Sequence, residues 1–129
     1  MAEGRSPAAH ALQYVTELAS DHRLTIVSNT HDPALVPRLV RRFGLHTTVD
    51  RVVTSVTVGW LKPHPIIFET ALRESGAAAK DAVFIGDNWE ADVDGPRRVG
   101  MSSIYVGIPS AQHPSVSLQE VPQAIRSLA

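Results

Sequence analysis

Ser28, Asn29, Lys62, Asp87 and Asp92 are the side chains in this sequence whose types and spacing could do chemistry. Ser28-Asn29 closes one apolar run, Lys62-Pro63 stands midway, and Gly86-Asp87 closes another apolar run with Asp92 five residues further on. A hydroxyl beside the Asn29 and Thr30 amides can donate to phosphate oxygens. A lysine stiffened by Pro63 and Pro65 presents a fixed cation, and two carboxylates across a strand-to-helix junction can share a hard ion such as Mg²⁺. That is most of what phosphoryl transfer needs. A nucleophile is absent from the set: the carboxylates before Ser28 are Glu3, Glu17 and Asp21, and none follows an apolar run.

Each piece alone also has a plainer role. Ser-Asn-Thr is ordinary turn chemistry, a single lysine is usually a solvated charge, and Asp87-Asn88 would cap the helix that carries Asp92. Order along the chain and placement at strand ends favour the joint reading.

The elements that must position these groups alternate. Ser6-Pro7 opens a helix with Leu12, Val15, Leu18 and Ala19 at helical spacing, ending near Ser20. Leu24 to Val27 is a short β-branched run, the pattern of a strand buried on both faces. Asp32-Pro33 opens a helix with Leu35, Val36, Leu39, Val40 and Phe43 on one face and Gly44 as its stop. Arg51 to Ser55 is a strand, Pro65 to Ser75 a helix closed by Gly76, and Ala82 to Ile85 a third strand. A helix around Glu90 to Val99 ends at Gly100, Ser103 to Val106 is a fourth strand, and Ser117 with Glu120 forms a capping box for a last short helix. The alternation implies right-handed βαβ units in a three-layer α/β/α, Rossmann-like fold with a mostly parallel sheet. In such sheets chemistry gathers beyond the carboxyl ends of the strands, which puts Ser28 and Asp87 on one rim with the Lys62 loop in reach.

Composition bounds the rest. A chain of 129 residues, 43% hydrophobic and 19% charged, fits one domain with one core, so residues 1–129 read as a single unit. The formal charge of -1 argues against a nucleic-acid partner, and no apolar stretch is long enough to cross a bilayer. Cysteine is absent, which excludes disulfides and thiolate metal sites. Met1 to Ser6 is polar and has no signal-peptide core, so the cytoplasm is the expected address.

Over most of its length the chain resembles the haloacid dehalogenase-like (HAD) hydrolase superfamily, mostly phosphatases. The matching stretches are Leu24 to Thr30 (LTIVSNT), Val58 to Phe68 (VGWLKPHPIIF) and Val83 to Met101 (VFIGDNWEADVDGPRRVGM), the second, third and fourth motifs of that family. The resemblance implies that Ser28 binds the transferred phosphoryl group, helped by Asn29, and that Lys62 neutralises its charge and steadies the nucleophile. It also implies that Asp87 and Asp92 hold Mg²⁺ directly or through water, that Gly95 permits close packing and that Gly100 ends a helix.

The chain departs from the family at its start. Family members begin with a strand ending in Asp-x-Asp, whose first aspartate attacks phosphorus and whose second is general acid and base. No such segment precedes Ser28. Asp92-Val93-Asp94-Gly95 spells the motif, but the residues before it favour a helix start, so it is a decoy. In the family fold the absent strand is central, between the strands ending at Ser28 and Asp87. Those two would then stand roughly 10 Å apart with unpaired backbone facing the gap. A direct pairing, a second copy of the chain or a strand-donating partner would have to close it. The cap domain of many relatives is also absent, because a helix and a strand already occupy the stretch from Ser28 to Lys62, and the open site suits a large substrate.

Other residues read more plainly. His31 and His64 flank the motifs as incidental loop histidines, and His64 stands where many relatives carry an aspartate. Trp60 and Trp89 are expected to be buried rings beside the Lys62 and Asp87 loops, and Arg97 and Arg98 a solvated face. The sequence therefore predicts an incomplete HAD-like core related to phosphatases, inactive as an isolated chain, that takes a phosphorylated substrate once completed. The alternative is a non-catalytic phosphate- or metal-binding module that regulates by association.

Overall fold

Every apolar run becomes a strand of four residues: β1 is Thr25–Ser28, β2 Arg51–Thr54, β3 Val83–Gly86 and β4 Ser102–Tyr105. A computed structural model describes residues 15–128. Residues 15–19 are helical, and the earlier part of the helix expected from Pro7 lies outside the described residues. The helices that follow are α1 (Leu35–Arg42), the single turn α2 (Ser55–Val58), α3 (Pro65–Ser75), α4 (Gly95–Arg98) and α5 (Val121–Arg126). None of the described helices is long and apolar enough to cross a membrane.

Pairing is parallel, as alternation requires, but it falls into two separate pairs among the described residues. Thr25 to Ser28 lie opposite Arg51 to Thr54, and Val83 to Gly86 lie opposite Ser102 to Tyr105. No ladder joins β1 to β3. What holds the pairs in one body is α3. Its Ile67 and Phe68 are fully buried and meet Val53 of β2, with Val27, Ala71, Phe84, Val99 and Met101 packed around them. Phe68 meets Phe84 of β3 edge to face at a centroid distance of 5.3 Å.

Local chemistry sets α3 firmly. Pro65 sits in its first turn, where a missing N–H costs nothing. His64 is its N-cap, with Nδ1 accepting from the Ile66 amide at 3.2 Å. An imidazole thus performs the capping an aspartate would, which explains a histidine at this position. Gly76 ends the helix at φ +67°, a conformation that favours glycine. The C-terminal capping box is present in outline: the amide and hydroxyl of Ser117 both donate to Glu120 Oε1, at 2.8 and 2.9 Å, and hold that carboxyl below its usual range.

Several expectations need correction. β1 and β3 are half-buried along their whole length, whereas the apolar run predicts burial on both faces. The reason is a cavity of about 610 Å³ whose lining includes residues of both strands, Thr25, Ile26 and Val27 of β1 and Val83, Phe84 and Ile85 of β3. The helix expected from Asp32 starts at Leu35, because Asp32 Oδ1 is drawn into a turn by the Ala34 amide at 2.8 Å. Of its apolar face only Val40 is buried, while Leu35, Leu39 and Phe43 remain exposed. Trp60 is exposed rather than buried and stacks on His64 at 4.0 Å. The segment expected as one helix from Glu90 begins as a π-helical turn, Glu90–Asp94, before α4.

Because Phe68 joins both strand pairs, Phe68→Ala is expected to cost about 3–5 kcal/mol in urea denaturation. A loss under about 1 kcal/mol would show that the pairs are held together elsewhere.

Candidate active site

The rim where both strand pairs end is organised by the loop before α3. Asn29, just past β1, grips the main chain of Lys62 from both sides: Lys62 N donates to Asn29 Oδ1 at 2.8 Å and Asn29 Nδ2 donates to Lys62 O at 3.2 Å. With its backbone fixed to the first pair, Lys62 sends its ammonium across to the second. Lys62 Nζ donates to Asp92 Oδ1 at 2.7 Å and lies 5.4 Å from the centroid of the Phe84 ring. The two side chains are 13% and 6% exposed, so the pair is largely withdrawn from water.

Asp92 is held from behind as well. Its Oδ2 accepts from the Asn88 amide at 3.1 Å, and Asn88 Oδ1 caps the turn by accepting from Ala91 N at 3.0 Å. The carboxylate lies directly over Gly86: a Cβ there would come within 2.3 Å of Asp92 Cγ. Gly86 is therefore glycine for lack of room. Gly95 is similar, since a Cβ would meet Phe68 and Pro63 at 2.8 Å. On the other side of the rim, Ser55 Oγ accepts from Thr30 N at 2.9 Å and donates to Thr30 O at 3.0 Å.

Hydrogen bonds thus bring Asn29, Lys62 and Asp92 together, with Ser28 and Asp87 beside them as chain neighbours at the ends of β1 and β3. Ser28 is half-buried, and Asp87 is exposed. Two expectations change. The Thr30 amide is not free for phosphate, because Ser55 takes it. The side chain of Asn29 is spent on positioning Lys62, which leaves its main chain for any ligand. Asn88, Ser55 and Phe84 were not legible as site residues; the readable hint was Gly86, whose place before Asp87 marks a close approach.

As a metal centre the acidic pair is incomplete. Both oxygens of Asp92 already have donors, and the described residues contain no group of three or more His, Cys, Asp or Glu placed to hold an ion. Asp87 is the carboxylate left to face a cation, and Mg²⁺ demands octahedral oxygen coordination. The residues fit Mg²⁺ in kind but not in number, so no chemical step is assigned to the ion.

A double-mutant cycle on Lys62→Met and Asp92→Asn is expected to give a coupling of about 1–3 kcal/mol, read by chemical denaturation. Additive losses would mean that the contact contributes nothing to stability.

The fold and the rim have relatives. The haloacid dehalogenase-like hydrolase family matches residues 3–106. The human haloacid dehalogenase-like hydrolase domain-containing protein 3 is 42% identical over 94 residues, 73% of this chain and 37% of that protein. A glyceraldehyde 3-phosphate phosphatase from Methanothermobacter thermautotrophicus is 39% identical over 85 residues, 66% of this chain and 37% of that protein. The chain thus spans under two fifths of the length of these curated relatives. Among solved structures, a HAD phosphatase from Thermococcus onnurineus superposes with a TM-score of 0.75 at 25% identity, covering 93% of this chain and 57% of that one. A HAD hydrolase from Bacillus subtilis bound to magnesium shares the fold, with a TM-score of 0.79 at 19% identity over 93% of this chain and 55% of that one. On the extent of the family match, the chain belongs to the haloacid dehalogenase-like hydrolases.

Proposed function

We propose that this chain is the phosphate-binding core of a phosphomonoester hydrolase whose attacking carboxylate comes from outside residues 15–128. The observation that carries the reading is the Lys62 ammonium, fixed at the strand ends by the Asn29 clamp on its backbone and by Asp92 at 2.7 Å. A cation held in place needs no reorganisation when phosphate arrives, which is the economical way to stabilise developing charge. Lys62 would bind a phosphoryl oxygen, the Ser28 hydroxyl would donate to a second, and Asp92 would keep the ammonium oriented. Phosphatases among the relatives support this substrate class.

Asp92 cannot serve as the nucleophile. It is 4% exposed and hydrogen bonded through both oxygens, with Gly86 pressed against it. Asp87 faces solvent, but it follows the end of β3 as a candidate metal ligand, and Mg²⁺ is assigned to it only in company with a further carboxylate. The same observation favours a second reading, a non-catalytic phosphate-binding module, because the carboxylate touching Lys62 is unavailable for attack.

The full chain with p-nitrophenyl phosphate and Mg²⁺ is expected to hydrolyse at background rate. A fusion that adds an N-terminal apolar strand ending in Asp-x-Asp is expected to restore turnover, and Lys62→Met or Asp87→Asn in that fusion to reduce it by about a hundredfold or more. Hydrolysis by the unextended chain that survives Lys62→Met would overturn the proposal. A folded fusion that binds phosphate without turnover would leave the module reading standing instead.

A further inference from the structure

The rim that carries Lys62 and Asp87 is bordered on two sides by apolar side chains that the core does not use. On the Lys62 side, Trp60 is 49% exposed and Leu61 52%, and Val56 and Ile66, before and after them in the chain, are exposed as well. On the Asp87 side, Ile108 is 86% exposed, more than any other large hydrophobic residue among those described. Hydrophobic residues scattered singly over a surface are ordinary, whereas apolar groups gathered about a polar site point to what that site receives.

Both borders are held in place. His64 N donates to Leu61 O at 2.8 Å and closes a turn with Lys62 and Pro63 at its centre. The Trp60 ring stacks on the His64 ring, with centroids 4.0 Å apart and planes 20° from parallel, and His64 is itself fixed as the N-cap of α3. The indole is therefore ordered before any ligand arrives, which lowers the entropy that binding must offset. Consecutive Cα atoms stand about 3.8 Å apart, so the Trp60 backbone lies within about 8 Å of the Lys62 backbone. Ile108 is presented in a comparable way: its carbonyl accepts from the Tyr105 hydroxyl at 2.8 Å, and Tyr105 packs edge to face on Trp89, two residues past Asp87. Its neighbour Gly107 lies against the Asp87 main chain, where a Cβ would come within 2.4 Å of the Asp87 carbonyl oxygen. An isoleucine this exposed, on an anchored main chain beside the candidate site, contributes little to any core within the described residues.

We infer that the organic part of the phosphomonoester is planar and apolar, an aryl group seated between Trp60 on the Lys62 side of the rim and Ile108 on the Asp87 side. The phosphoryl end of this substrate rests on the proposed function; the aryl end rests on the two borders. An indole gains most from a second flat ring, through offset stacking. A sugar or other polyol is served less well, because its hydroxyls would meet side chains such as Leu61 and Ile108, which offer no hydrogen-bond partner, and would lose their water without compensation.

The test is a pair of NMR titrations of the full chain with phenylphosphonate and with methylphosphonate, two unhydrolysable probes that differ only in the group on phosphorus. Phenylphosphonate is expected to bind about three- to tenfold more tightly and to shift the Trp60 indole N–H, which methylphosphonate leaves in place. Trp60→Ala is expected to bring the two affinities level, and Trp60→Phe to keep part of the difference. Ile108→Ser, at a side chain that supports no core, is expected to reduce the difference about twofold or more. Equal affinities in the unaltered chain would overturn the inference, as would a preference that survives both Trp60→Ala and Ile108→Ser. So would a dimer that covers Trp60 and excludes phenylphosphonate, since a second copy would then be the occupant. Failure here is separable from failure of the phosphate reading: methylphosphonate binding that Lys62→Met removes, with no gain from the phenyl group, defeats the aryl seat alone, whereas failure of both probes to bind defeats the phosphate site and the aryl seat with it.

Discussion

The buried ion pair between Lys62 and Asp92 is the interaction around which the rim of this structure is organised. It spans the two strand pairs at their carboxyl ends, where no backbone ladder crosses. Removing two charges from water is unfavourable, and the contact offsets that cost only when geometry and secondary hydrogen bonds are good. Here both conditions are met locally: Asn29 fixes the lysine backbone, the Asn88 amide occupies the other carboxylate oxygen, and Gly86 leaves the space in which Asp92 sits. The lysine that binds phosphate in the proposed reading is thus the same one that meets the second strand pair at its carboxyl end, while α3 holds the two pairs together. Function and the geometry of the rim share a single bond.

That sharing explains which parts of the molecule were legible in the sequence. Strand ends were readable because apolar β-branched runs stop at Ser28 and Gly86, and α3 was readable to its last residue because Pro65 and Gly76 bound it on both sides. The order of hydroxyl, lysine and carboxylates marked the rim. Partnership was not readable. Whether Asp92 turns toward Asp87 or toward Lys62 depends on the π-helical turn Glu90–Asp94, and such a turn has no local sequence signature. The role of Asn29 was hidden for a similar reason, since its partner lies 33 residues away. Burial misled in the opposite direction. Leu24 to Val27 has the composition of a strand covered on both faces, and only the tertiary arrangement reveals the groove that leaves β1 half-exposed.

The groove and the rim belong to one physical problem. A parallel sheet is stable when both faces and all interior edges are covered, and two parallel pairs of four residues each are short for that purpose. Packing on α3 supplies the covering from below, through Phe68 and Ile67, while the edges between β1 and β3 remain without a ladder. The chain belongs to the haloacid dehalogenase-like hydrolases and spans under two fifths of the length of the curated relatives it matches.

The most direct test of this account is an NMR titration of the full chain with inorganic phosphate, following backbone amides and the Lys62 ammonium together. Resonances of Ser28, Asn29, Lys62 and Asp87 are expected to move along a single binding curve, and Lys62→Met is expected to abolish the coordinated shift while leaving the fold intact. Shifts confined to one strand pair, or scattered over surface arginines and unchanged by Lys62→Met, would contradict a rim assembled around this ion pair.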